Sequence, residues 1–243
     1  MTYKLFTDIV ERWDVNALDQ LPEYMRICFL ALFNSTNEMA YDVLKDQDFN
    51  IIPNIQKLWA DLCRAFLIEA RWYNSGYVPS RCEYLNTAWI SISGPALLSH
   101  ANCVFPTHVC TINPLTKKDL LCLEQYPGII HWPSLVLRLT NDLGTSSEEI
   151  KRRDVPKSIQ CYMKDTGCSE EDARDYIKYL IEVTLKKMNK DILMDCPFKD
   201  SGGAAMNLAR ITQCIYRYGD GYGVPHFETK KKLTSLIVEP ISL

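Results

Sequence analysis

Arg138, Asn141, Thr145 and Glu149 fall within the run RLTNDLGTSSEE. At about 100° per residue on a helix, these four side chains lie within roughly 80° of one another. An amide oxygen, a hydroxyl and a carboxylate then share one stripe beneath a guanidinium. All three oxygens are hard ligands of the kind Mg²⁺ takes, and that ion keeps waters and completes its shell with substrate phosphates. The guanidinium supplies a planar fork for such a phosphate. The same spacing also describes an ordinary solvated helix face, and on spacing alone that plainer reading is favoured.

A ligand stripe needs a long helix and a frame to hold it. The 243 residues are 47% apolar and 23% charged, ordinary proportions for a globular chain of one domain or two small ones. Apolar residues recur at spacings of three and four almost throughout, and strict alternation is hard to find, which predicts an all-α fold. Leu5, Ile9 and Trp13 mark one face of a first helix, and Pro22 opens a second carrying Met25, Phe29, Leu32 and Met39. Pro53 opens a third with Leu58, Leu62, Phe66 and Glu69, which stops at Asn74-Ser75-Gly76. After Pro79 a fourth runs through Trp89 to Gly94-Pro95, where proline removes a backbone donor and kinks what reads as one long helix. Further helices are expected over 117–125, over 134–152 with the stripe, from Ser169 through Ile192, over 204–218 and over 228–238. Residues 219–225 are glycine-rich and form a loop. With no fixed-period repeat and no long linker, residues 1–243 read as one helical domain.

A net charge of −3 gives no field that would favour nucleic acid or an anionic membrane. The longest apolar run, from Ile27 to Phe33, is far short of the roughly twenty residues a membrane span needs. The N-terminal MTYKLFTDIVERWD has neither a secretory apolar core nor the Arg/Ser-rich character of a transit peptide, so the chain as written is expected in the cytoplasm. Ten cysteines, spread from Cys28 to Cys214 with no C-x-x-C pair, read as reduced and mostly buried thiols.

The pattern Asn141-Asp142-x-x-Thr145-x-x-x-Glu149, preceded by Arg138 and followed by DVPKSIQCYM at 154–163, resembles the second metal-binding motif of plant terpene synthases, in the monoterpene branch. LFTDIVERWD at 5–14, WISISGP at 89–95, NLARITQCIY at 207–216 and GDGYGVP at 219–225 are similar to segments of that family in the same order, across roughly its C-terminal half. The resemblance implies the all-α class I terpenoid synthase bundle, with helices around an apolar cavity whose mouth holds a diphosphate and Mg²⁺ or Mn²⁺ ions. It implies Asn141, Thr145 and Glu149 as ligands of one metal ion, and Arg138 with Asn141 as contacts of the substrate's diphosphate end. Ser91, Ile92 and Ser93 match a helix break that lines the substrate cavity. Asp220 and Tyr222 match a catalytic loop that caps the mouth, although sequence alone also allows a plain turn there. Asp142 belongs to the pattern but points about 100° away from Asn141, and is expected behind the ligands.

The family carries an Asp-Asp-x-x-Asp cluster shortly before the segment matching LFTDIVERWD, and Met1 falls inside that gap. By this resemblance the chain is a partial C-terminal metal-binding domain, incomplete on its N-terminal side, and residues 1–243 alone are expected to show little or no cyclase activity. The activity implied is that of a lyase that releases diphosphate from a prenyl diphosphate, geranyl diphosphate foremost, and forms a monoterpene. An inactive remnant that binds diphosphate weakly or acts as an interaction partner is the other reading. Full-length members of the family are implied to reside in the plastid. Glu171-Asp172-x-x-Asp175 imitates the aspartate cluster, yet it follows Ser169 in the first turn of a helix, where acids meet the positive end of the dipole. His100, Cys103, His108 and Cys110 lack the paired spacing of a zinc site.

Overall fold

Helix boundaries follow local chemistry in the computed structural model, which describes residues 2–108, 116, 121, 124–152, 155–195, 202–220, 223 and 226–237. The first helix, α1 (Thr2–Arg12), ends at Trp13, whose φ is 54°. Asp14 then accepts the Asn16 N–H at 3.0 Å and caps a short 3-10 helix over Val15–Gln20. Pro22 precedes α2 (Glu23–Gln47), and Pro53 sits in the first turn of α3 (Ile52–Ser75), where its missing N–H would have had no partner in any case. A capping box starts α4 (Arg81–Ser91): the Glu83 N–H donates to Ser80 Oγ at 3.3 Å and the Ser80 N–H to Glu83 Oε2 at 2.8 Å. There follow α5 (Gly94–His108), α6 (Gly128–Arg152), α7 (Ser158–Thr166), α8 (Glu170–Asp195), α9 (Gly202–Ile215) and α10 (Phe227–Ile237). Among the described residues there is no strand, and no helix is long and apolar enough to cross a membrane.

Two helix expectations need correction. The kinked long helix is in fact two helices, because α4 stops at Ser91 and Ser93 turns the chain with φ 67° before α5 starts. Packing explains the break. A Cβ on Gly94 would lie 2.9 Å from the Ser134 Cα, so α5 can begin against α6 only at a glycine. The helix expected from residue 134 begins at Gly128 and holds Pro133 inside it, at the cost of one backbone hydrogen bond. The helix expected over 117–125 falls largely outside the described residues.

One helix is central: α6 packs against α4, α5, α7, α8 and α9. Its Val136 and Leu139 share a buried cluster with Ile159 of α7, Ile177 of α8 and Ala209 of α9. Ile130, nearer its start, joins Val43 of α2, Ile55 of α3, Leu98 of α5 and Ala205 of α9. A third, aromatic cluster ties α1 to α2, with Trp13 tilted against Phe33 at 5.4 Å and Phe29 stacked on it at 5.8 Å between ring centres. At the start of α8 the Asp172 N–H donates to Ser169 Oγ at 3.1 Å, while Glu170 pairs with Arg174 and Asp175 with Lys178, so these acids serve as cap and surface pairs. The cysteine expectation was too apolar: among the described cysteines Cys28, Cys82 and Cys214 are exposed and Cys161 is buried. Cys28 opens onto a cleft, and the other two exposed thiols lie on outward helix faces.

Phe29 is fully buried and touches the rings of Phe6, Trp13 and Phe33. Phe29→Ala should cost about 3–5 kcal/mol in urea unfolding. A loss below about 1 kcal/mol would show that the aromatic cluster collapses into the gap.

Candidate active site

The stripe forms on one side of α6. Arg138 Nη1 donates to Asn141 Oδ1 at 3.4 Å, and Thr145 Oγ1 donates to the Asn141 carbonyl oxygen at 3.0 Å, with the same hydroxyl within reach of Glu149. Glu149 is the unusual member. Its Oε2 is buried without a hydrogen-bond partner, and Lys157 Nζ lies 3.9 Å from its other oxygen. Burial pushes this carboxyl above its ordinary value, with Lys157 and Thr145 pulling the other way. An under-partnered carboxylate oxygen beside an amide and a hydroxyl is a hard-oxygen donor set in want of positive charge, and it fits a divalent cation. The set contains a single carboxylate. Among the described residues no group of three or more His, Cys, Asp or Glu could hold a metal, so further oxygens must come from elsewhere.

Behind the stripe lies a second arrangement with opposite character. Asp142 is 0% exposed and accepts from the Tyr84 hydroxyl at 3.1 and 2.9 Å, from the Ser158 N–H at 3.2 Å and from Arg138 Nη1 at 3.3 Å. Arg138, 5% exposed, donates through Nε to the Ala88 carbonyl at 2.9 Å and through Nη2 to Ser91 Oγ at 3.1 Å. The Ser91 hydroxyl donates in turn to Glu69 Oε1 at 2.5 Å. Burial works against the guanidinium's charge, but Tyr84, Asp142 and Glu69 outweigh it and its pKa ends above the ordinary value. Burial, with Asp142 and Glu69 adding to it, holds the Tyr84 phenol well above its usual value and keeps it neutral.

The expected residues are thus not all in one place. Asn141, Thr145 and Glu149 stand together with Arg138. Ser91 is buried between Glu69 and Arg138, and Ile92 and Ser93 form the turn that follows it. Asp220 accepts the Gly223 N–H at 2.9 Å and is half-buried, while Tyr222 lies outside the described residues, as do the side chains of Cys103, His108 and Cys110. Gly144 brings the Asp220 segment in: a Cβ there would lie 2.9 Å from the Tyr216 ring and 3.0 Å from the Gly219 carbonyl oxygen. Sequence reasoning missed Tyr84, Glu69 and Lys157 as parts of the site. Glu69 left a signal, a carboxylate on the apolar face of α3, and Lys157 sits in the DVPKS stretch; Tyr84 left none. A cleft of about 770 Å³ opens between α1, α2 and α3 and meets this constellation at Glu69 and Lys157.

Comparison with known proteins settles the family. Residues 2–187 match the terpene synthase family, metal binding domain. The chain belongs to the terpene synthase family. It is 64% identical over 240 residues to trans-alpha-bergamotene synthase of Phyla dulcis, covering 99% of this chain and 43% of that protein. It is 56% identical over 241 residues to the chloroplastic myrcene synthase of Quercus ilex, covering 99% and 39% respectively. The bundle superposes on limonene synthase solved with 2-fluorolinalyl diphosphate at a TM-score of 0.91 and 44% identity, covering 99% of this chain and 44% of that one. It superposes on isoprene synthase from grey poplar leaves, solved with three Mg²⁺ ions and dimethylallyl-S-thiolodiphosphate, at 0.89 and 45% identity over 99% and 45% of the two chains. The fold is therefore the class I terpene synthase helical fold, and the chain spans less than half the length of these relatives. Membership in a family defined by its metal-binding domain implies use of a divalent metal.

A carboxyl whose folded-state pKa is raised is penalised as a carboxylate in the folded state. For Glu149 that penalty is present at neutral pH, shrinks as pH falls through the raised value, and is gone below the ordinary carboxylate value of about 4. Glu149→Gln should therefore melt higher than the parent at pH 7 without added divalent ions, and the difference should close near pH 4. A lower melting temperature for Glu149→Gln at pH 7 would show that the Lys157 pair outweighs desolvation.

Proposed function

We propose that Asn141, Thr145 and Glu149 hold one Mg²⁺ of a terpene synthase, and that Arg138 and Lys157 receive the diphosphate end of a prenyl diphosphate. The observation that carries this reading is the buried, unpartnered Glu149 oxygen, on one helix stripe with the neutral oxygen donors Thr145 and Asn141 and with Lys157 3.9 Å from its other oxygen. When bound, the metal supplies positive charge to the departing diphosphate, the place where such reactions gain most. The chain's own residues do the rest of the binding. Arg138, immobilised by Ala88, Ser91, Asn141 and Asp142, has one N–H left to present in a fixed direction, and Lys157 adds a point charge. Asp220, brought against α6 by the Gly144 contact, and Tyr222 are assigned to the loop that caps the mouth and limits water. The Ser91–Ser93 break is assigned to the cavity wall. Residues 1–243 are assigned as part of a C-terminal metal-binding domain, in a full-length protein that resides in the plastid.

The overall reaction proposed is loss of diphosphate from geranyl diphosphate to give a monoterpene. A second reading has its own support: relatives 64% and 60% identical are bergamotene synthases, of the sesquiterpene class, which points to the longer farnesyl diphosphate. Turnover of the full-length protein with each diphosphate and Mg²⁺, read as volatile products, separates the two. Geranyl diphosphate should give the higher kcat/KM; preference for farnesyl diphosphate would move the assignment to the longer chain. Asn141→Ala and Glu149→Ala should each lower kcat by about 10²-fold or more with the helical circular dichroism unchanged. Near-normal turnover in both variants would remove the metal assignment.

A further inference from the structure

Asp142 is assigned no contact with metal or substrate, yet it is fully buried and has more hydrogen-bond partners than any other acid around it. We propose that Asp142 is a positioning residue that sets the separation of the two cations receiving the diphosphate, an assignment that rests on the function proposed above. One carboxylate oxygen takes Arg138 Nη1 at 3.3 Å, directly behind the first cation. The other takes the Ser158 N–H at 3.2 Å, one residue from the second. Ser158 is the first residue of α7, so its N–H has no partner within the helix, and Asp142 supplies the acceptor from α6. The Lys157 backbone is thereby pinned on both sides, since its own N–H donates to Gln160 Oε1 at 2.9 Å. From that fixed backbone the Lys157 ammonium reaches to 3.9 Å from Glu149. The Tyr84 hydroxyl spans both oxygens of Asp142 and keeps the carboxylate plane from turning.

Two neighbouring groups each touch one cation only. Ser91 contacts Arg138 and not the 157–158 turn, and Gln160 contacts Lys157 and not Arg138. Among the described residues, Asp142 is hydrogen-bonded both to Arg138 and to the 157–158 turn. A two-phosphate anion that engages both cations should feel a change at Asp142 that a single phosphate, engaging one, does not. Lost packing would weaken both anions alike, so the ratio of their affinities reports positioning.

The test uses the 243-residue chain with Mg²⁺ and measures binding of inorganic pyrophosphate and of inorganic phosphate by calorimetry. Asp142→Asn should weaken pyrophosphate by about tenfold or more, the size of a lost charge-assisted contact, and leave phosphate nearly unchanged, so that the preference between them collapses. Tyr84→Phe, which removes only a hydroxyl, should shift the ratio in the same direction by less and covers the case in which Asp142→Asn does not fold. Hydrogen exchange at the Ser158 amide should quicken in Asp142→Asn while amides of α8 keep their protection. Unchanged preference in both variants, equal weakening of the two anions, or an unaltered Ser158 amide would overturn the inference. A parent chain that binds no pyrophosphate would instead overturn the functional reading on which it rests.

Discussion

A guanidinium buried to the extent of Arg138 is tolerable only if opposite charge and hydrogen-bond acceptors surround it, because removing one partner from such a pair costs about 3–5 kcal/mol. Its partners come from three directions. The Ala88 carbonyl and Ser91 hydroxyl belong to the end of α4, Asp142 to its own helix one turn on, and Glu69 reaches it through Ser91 from α3. Asp142 extends the same network to α7 through the Ser158 N–H. Four helices thus share one electrostatic requirement. Apolar packing alone is non-directional and would allow α4 to slide along α6 by part of a turn. The hydrogen bonds to Arg138 do not, and they fix where α4 must end. The Ser91–Ser93 break falls at that point, which gives the break a role in holding the guanidinium.

Adjacent residues on α6 carry opposite tasks because 100° separates them, an elementary consequence of helix geometry. Asn141 faces the stripe and Asp142 the interior. The contrast with Glu149 makes the division clear: Asp142 is saturated by donors from Tyr84, Ser158 and Arg138, while Glu149 keeps one buried oxygen unpaired. A carboxylate has about four acceptor positions, and three donors from the protein itself occupy most of those of Asp142. It has little left to offer a cation. Glu149 retains an unfilled acceptor position, and burial has already raised the free energy of leaving it alone.

Much of this was legible before the fold was known, for reasons that can be named. Proline announces helix starts, so Pro22, Pro53 and Pro79 placed α2, α3 and α4 closely. The register of Arg138, Asn141, Thr145 and Glu149 follows from spacing within one helix and needs no tertiary information. What failed was set by contacts distant in sequence. The separation of α4 from α5 depends on Gly94 meeting Ser134 on another helix, and the early start of α6 overrides an internal proline because its first turns are buried. Tyr84 donates to an acid 58 residues away, and no local pattern marks a tyrosine on a buried helix face as that donor. Six described cysteines also escaped prediction in detail, since thiols pack as readily on the outward face of a helix as within it.

The charges around the stripe explain why a set with one carboxylate suits a metal together with an anion better than a metal alone. Lys157 Nζ lies 3.9 Å from the Glu149 carboxylate, and a divalent cation held by the same carboxylate would be repelled by that ammonium in a partly buried setting. Expelling the lysine would leave Glu149 with a metal but strand an ammonium near it. A diphosphate removes the conflict, because it accepts the metal on one side and the displaced ammonium on the other, and it supplies the oxygen ligands that Asn141, Thr145 and Glu149 lack. Arg138 cannot take over this exchange, since Ala88, Ser91 and Asp142 hold it in place. On the proposed assignment, metal binding and anion binding at this site would be coupled: each would raise the affinity for the other, by thermodynamic necessity to the same degree.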